Sequence, residues 1–197
     1  MKKVAITGTI GSGKTECSHL IESMGYTVFN CDDEVNQLYL QDDSAIEKLK
    51  TIFPFSYHNG IWDKRSIANE IFKENTKKIE LENIIYPVLL KKMQDKMIES
   101  KEVFFAEVPL LFQTGWDQYF DEILLVTCDD DIAMKRLITN RGMSEEDARR
   151  RLHDQKKHLL QIERATKIIY NNNNIEDLKK QVREWVEMEI IGNGTKR

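Results

Sequence analysis

Eight consecutive residues near the start of the chain combine a lysine, three hydroxyls and three glycines: Gly8-Thr9-Ile10-Gly11-Ser12-Gly13-Lys14-Thr15. They fit G-x-x-x-x-G-K-[ST], the phosphate-binding loop. Without Cβ atoms, the glycines let backbone amides converge on phosphate oxygens. Lys14 can reach the outer phosphates, and the Thr15 hydroxyl is a hard ligand suited to Mg²⁺. Chemistry of this kind needs a strand before the loop and a helix after it. Lys3–Thr7 is a short apolar run of the buried-strand type. From Thr15 to Met24, apolar Cys17, Leu20, Ile21 and Met24 recur at spacings of three and four, and Gly25 closes that helical pattern. The helix N-terminus then adds partial positive charge at the phosphate position.

Phosphoryl transfer also needs a group facing the acceptor hydroxyl, a carboxylate for the metal and further cations. A second strand pattern, Tyr26–Asn30, runs into Cys31-Asp32-Asp33. Asp32 is the candidate for orienting or deprotonating a hydroxyl, with a helix cap as its plainer alternative; Asp33 suits the first turn of a helix. Glu107 ends the apolar run Phe104-Phe105-Ala106 and is the candidate carboxylate for Mg²⁺. Arg136, Arg141, Arg149, Arg150 and Arg151 cluster within sixteen residues. Ser144, followed by Glu145, Glu146 and Asp147, reads as a helix start with Ser144 as cap. A basic helical hairpin here reads as a lid over the nucleotide that supplies guanidinium groups to the transferring phosphoryl group, with Arg149 or Arg150 facing water and a solvated charged face as the plainer alternative.

Five strand patterns, Lys3–Thr7, Tyr26–Asn30, Glu102–Val108, Glu122–Cys128 and Lys167–Asn171, alternate with helical ones. Near-continuous apolar cores mark strands covered on both faces, so the fold class is α/β with a five-stranded parallel sheet. The 197 residues suit one domain: a core at about 1–31, 102–135 and 165–191, a helical lobe at about 32–101 and a lid at about 136–164. Within the lobe, helical patterns cover Asp33–Leu40, Ser44–Ile52, Lys64–Phe72 and Lys77–Ser100, and Pro87 should kink or split the last. The tail after Ile191 reads as frayed.

Composition is that of an ordinary globular chain, 41% hydrophobic and 31% charged, with net charge −4. That charge argues against nucleic-acid partners and anionic membrane surfaces. The N-terminus enters its first strand at once, leaving no room for a signal peptide, so cytoplasm is the expected location. Cys17, Cys31 and Cys128 lack metal-ligand spacing and read as free thiols, Cys17 and Cys128 in the core. Neither Asn-Lys-x-Asp nor a strand-linked Asp-x-x-Gly is found, which favours a small-molecule kinase over a GTPase switch.

Several segments, in order and over nearly the whole chain, resemble the dephospho-CoA kinase family. They are Thr7–Lys14; Asn30-Cys31-Asp32; Asn59-Gly60 with Asp63; Leu81–Pro87; Val108-Pro109-Leu110-Leu111-Phe112-Gln113-Thr114-Gly115; Arg136-Leu137 with Arg141; Ala148–Arg151 with Gln155; and Ala165 with Asn171. The chain departs from the family pattern at Asn30, Glu16, Gln113, Tyr86, Thr166 and Tyr170. The resemblance implies a three-layer P-loop NTPase fold like that of nucleoside monophosphate kinases. It implies ATP and Mg²⁺ as cofactors, dephospho-CoA as substrate and its ribose 3′-hydroxyl as acceptor. Gly8, Gly11, Ser12, Gly13, Lys14, Thr15 and the Glu16 amide would bind triphosphate. Thr15 and Glu107 would hold the metal, Arg141 with Arg136 would stabilise the transferring phosphoryl group from the lid, and Asn171 would border the adenine. The helical lobe and the Pro109–Gly115 loop would hold the acceptor in a monomer or small homo-oligomer. Two other readings stay open on the residues alone: a kinase of another small acceptor such as a nucleoside monophosphate, and a nucleotide-binding regulator without catalysis.

Overall fold

The computed structural model describes residues 1–156 and 163–192. The chain forms two compact units, one from residues 1–29 and 100–197 and one from Asn30–Glu99.

In the first unit, strands β1 (Lys2–Gly8), β2 (Val28–Asn30), β5 (Val103–Glu107), β6 (Glu122–Thr127) and β7 (Lys167–Tyr170) form a parallel sheet ordered β2-β5-β1-β6-β7. The phosphate-loop strand β1 is central. Ala5 pairs with Ala106 on one side and with Ile123 on the other. A central parallel strand must bury both faces, and Val4, Ala5 and Ile6 are fully buried. Helix α1 (Lys14–Ser23) brings Cys17 and Ile21 onto Val4, Ile6, Phe105, Leu124 and Val126. The last helix, α8 (Ile175–Trp185), adds Leu178, Val182 and Trp185 to the same core and continues as a π-helical stretch, Val186–Ile191. Helices α6 (Asp130–Arg141) and α7 (Glu145–Lys156) pair around Ala133, Leu137, Ala148 and Leu152. Ile10 of the phosphate loop packs against that cluster. Gly142, at φ 62°, turns the chain between the two helices.

In the second unit, α2 (Cys31–Gln41), α3 (Asp43–Ile52), α4 (Lys64–Lys73) and α5 (Asn75–Glu99) enclose Leu38, Leu49, Phe53, Trp62, Ile67 and Ile85. Pro87 does not split α5. Ile85, Leu89, Met93 and Met97 form one buried stripe across it, and their packing holds the helix together past the missing amide. A small hairpin, β3 (Tyr57–His58) and β4 (Ile61–Trp62), departs from the all-helical expectation. Asn59 and Gly60 both have positive φ, 51° and 83°, the combination a two-residue hairpin loop requires.

The five strand expectations each match a strand, with ends moved by at most two residues. The largest shift is in β2, which starts at Val28 because Tyr26 and Thr27 lie outside the ladder. The end of the expected lid and the last five residues, with part of the expected frayed tail, lie outside the described residues. The Gln155 side chain does too.

Candidate active site

The phosphate loop leaves β1 at Gly8 and enters α1 at Lys14. At Gly8 a Cβ would lie 2.0 Å from the Val126 carbonyl oxygen, so the loop turns where only glycine fits against β6. Gly13 caps α1 with φ 96°, and a Cβ there would lie 2.4 Å from Asn171 Nδ2. Ser12 is buried, and its Oγ has no hydrogen-bond partner among the described residues. Lys14 Nζ donates to the Thr9 carbonyl at 2.9 Å, folding the ammonium across the loop.

Below the loop, Glu107 is 2% exposed. Thr15 Oγ1 donates to its Oε1 at 3.0 Å, and Ser18 Oγ donates to its Oε2 at 2.7 Å. Charge-assisted hydrogen bonds of this length hold a carboxylate firmly. They also supply a hard oxygen donor set at the first turn of α1, which suits Mg²⁺ in chemistry and in place. Ser18 had no sequence signal as a site residue; its spacing of three from Thr15 on a helix was the available clue.

Asn171 follows β7 and is 7% exposed. Its Nδ2 donates to the Ser12 carbonyl at 2.8 Å, and Arg136 approaches its Oδ1 at 3.4 Å. Arg136 also reaches the Gly11 carbonyl at 3.5 Å. Both side chains therefore engage the loop's own backbone. Arg141, by contrast, is exposed and lines a cavity of about 200 Å³ with Lys14, Thr15, Glu16, Arg136 and Asn140. Glu16 is exposed in the first turn of α1. Arg149 and Arg150 pair with Glu145 and Asp147 along α7, and Ser144 Oγ accepts the Asp147 amide at 3.1 Å as expected of the cap.

Asp32 lies in the first turn of α2, not on the strand. The cap is Asn30, whose Oδ1 accepts the amides of Asp32 at 2.9 Å and Asp33 at 3.2 Å. The exposed Asp32 carboxylate is thus relieved of capping and lines a cavity of about 300 Å³ in the helical unit.

The three cysteines are free. Cys17 and Cys31 are buried, whereas Cys128, which follows β6 beside the Gly11 carbonyl, is only half-buried. Burial, and then the Glu107 charge, push the Cys17 thiol far up. Burial also raises Cys128, opposed by the Arg136 charge. Among the described residues, no cluster of three or more His, Cys, Asp or Glu side chains is arranged to hold a metal, and no helix is long and apolar enough to cross a membrane.

The dephospho-CoA kinase family model matches residues 2–177. The chain belongs to the dephospho-CoA kinase family. A family member from Rickettsia typhi is 33% identical over 145 residues, covering 71% of this chain and 72% of the relative. One from Thermus thermophilus is 29% identical over 181 residues, covering 91% and 88%. A crystal structure from Thermus thermophilus superposes with a TM-score of 0.82 at 27% identity, covering 95% of this chain and 97% of that one. A shikimate kinase from Acinetobacter baumannii shares the fold at a TM-score of 0.60 and 14% identity, covering 100% and 96%. As a dephospho-CoA kinase family member, the protein is an ATP-dependent kinase of dephospho-CoA serving coenzyme A biosynthesis.

Proposed function

We propose that the protein transfers the γ-phosphoryl group of ATP to the ribose 3′-hydroxyl of dephospho-CoA, the last step in making coenzyme A. The observation that carries the residue assignments is the arrangement under the loop. There a buried carboxylate, two hydroxyls, Lys14 and the exposed Arg141 gather at one helix N-terminus.

The loop amides from Gly8 and Gly11 to Glu16 bind the triphosphate, and Lys14 swings from the Thr9 carbonyl to the outer phosphates. Thr15 and Glu107 hold Mg²⁺, which when bound neutralises the phosphate charge. Asp32 accepts the 3′-hydroxyl proton as the oxygen–phosphorus bond forms. The bond from the γ-phosphorus to the bridging oxygen breaks, and ADP carries away the electron pair. Arg141 stabilises the charge spread over the transferring group. Arg136 and Asn171 act one step back, by holding the loop carbonyls of Gly11 and Ser12, so that the amides keep facing the phosphates. Residues 32–101 serve as the acceptor lobe and residues 136–164 as the lid.

Mass-resolved product formation tests this reading, with ATP, Mg²⁺ and dephospho-CoA, AMP and CMP as rival acceptors, and a Lys14→Ala control. Coenzyme A from the native chain and none from the control supports it. Phosphorylation of AMP or CMP in place of dephospho-CoA would overturn the acceptor assignment. An Asp32→Asn enzyme with near-native turnover would remove Asp32 from its role.

A further inference from the structure

Ala133, Leu137 and Arg141 stand four residues apart on α6, so they follow one another along one face of the helix. The first two are buried. Arg141 is exposed at the helix end and lines the cavity that Lys14 and Thr15 also line. This face is seated on the phosphate loop. A Cβ on Gly11 would lie 3.1 Å from the Ala133 carbonyl oxygen and 3.3 Å from Leu137 Cγ, so loop and helix meet with no room for a side chain between them. Ile10, the residue before, packs into the cluster that Ala133 and Leu137 share with Ala148 and Leu152 of α7. Leu137 is in turn tied to the helix end. Its carbonyl accepts the Gly142 amide and, at 3.2 Å, the Met143 amide, from the two residues that follow Arg141.

We infer that Ile10 is a positioning residue for phosphoryl transfer: it wedges the α6–α7 hairpin at one height over the phosphate loop and, through Leu137, sets where the Arg141 guanidinium stands. The inference rests on the proposed role of Arg141 at the transferring group. An isoleucine side chain brings no hydrogen-bonding group to a phosphate. What it does bring is apolar area to a small core whose buried members are two leucines and two alanines. Arg136 joins the same two elements, but its contact with the Gly11 carbonyl is long, 3.5 Å, and therefore weak. The apolar wedge, not that contact, sets the spacing. The loop that binds the triphosphate and the arginine that meets the γ-phosphate then belong to one packed body. Truncating Ile10 keeps the loop amides, Lys14 and Thr15 for the nucleotide, but lets the hairpin tilt on the loop. A displacement of about 1 Å at a positioned group is enough to cost a large part of its effect on transfer.

The test is a double-mutant cycle on the full-length protein, with initial rates measured on ATP, Mg²⁺ and dephospho-CoA. The chains are native, Ile10→Ala, Ile10→Val, Arg141→Met and the Ile10→Ala, Arg141→Met double variant. Ile10 is only partly buried, so the fold should survive its truncation; thermal melting checks this. Ile10→Ala should lower kcat about tenfold or more and change the ATP KM by less than about threefold. Ile10→Val, which keeps most of the volume, should recover most of kcat. In the Arg141→Met background, Ile10→Ala should have almost no further effect on kcat, because the group that it positions is gone. If Ile10 merely held the loop in shape, Ile10→Ala would chiefly raise the ATP KM, and its kcat loss would carry over in full to the double variant. Either result would overturn the inference and leave Arg141 in its role. Native kcat in Arg141→Met would instead remove Arg141 from transfer, and the inference with it.

Discussion

Glu107 shows how one side chain can serve fold and chemistry together. It is buried, so its charge needs partners, and the hydroxyls of Thr15 and Ser18 provide them. Replacing Ser18 with Ala would remove one donor from a buried carboxylate, at a cost of about 1–3 kcal/mol; urea unfolding of the variant measures it. Glu107→Gln keeps the volume and can still bond both hydroxyls, so its expected defect is in the reaction. Activity should fall about 10–100-fold, with a raised Mg²⁺ requirement, as for a lost metal-supporting group. Titrating Mg²⁺ against initial rate would show this; an unchanged half-saturation point would count against the metal role. Asn171 calls for a different signature. Its amide holds the Ser12 carbonyl from below. Asn171→Ala should therefore raise the ATP KM by about tenfold, the scale of one buried hydrogen bond, and leave the acceptor KM nearly untouched.

At the scale of elements, the loop and the hairpin place opposite demands on glycine. Gly8→Ala would drive a Cβ into the Val126 carbonyl of the neighbouring strand, and neither backbone can yield without breaking the sheet. A loss of more than about 2 kcal/mol, or failure to fold, is expected on thermal melting. Gly60→Ala meets no atom within 4 Å and carries only the left-handed backbone penalty, about 1 kcal/mol, with activity kept. These two glycines also mark what was legible in the sequence. The loop could be read because strand, glycine run and helix are contiguous, and the apolar runs of buried parallel strands stand out. The hairpin went unread although Asn59-Gly60 is a turn signal, because its strands are two residues long and lie among helices. At Pro87 the split half of the expectation failed because local propensity argues for a break, whereas the Ile85–Met97 stripe is tertiary. Asn171 and Arg136 could be singled out but not given their contacts, since their partners lie 159 and 125 residues away.

For the molecule as a whole, net charge and ordinary composition say little, and part of the stability at alkaline pH depends on a few buried acids. Cys17 in the sheet unit loses its proton at an ordinary value of 9.0 when exposed, but burial and the Glu107 charge hold it protonated in the fold. Tyr39 in the helical unit is pushed by burial from 10.0 to about 12. Burial, and then Glu82, raise Tyr86 as well. Each group binds its proton more tightly folded than unfolded. Their stabilisation is therefore complete below the unfolded values and is lost as pH rises through the folded ones. Stability should stay level with respect to these groups up to about pH 9. Above that, Cys17 removes about 1.4 kcal/mol per pH unit, and Tyr39 begins to add a similar slope above about pH 10. Urea midpoints at pH 7.5, 9.5 and 10.5 follow the decline. In Cys17→Ala the decline just above pH 9 should become shallower, because Cys128 and the tyrosines remain. An unchanged slope in that variant would mean that the Cys17 thiolate is tolerated in the fold, and that Glu107 beside it is better screened than its burial implies.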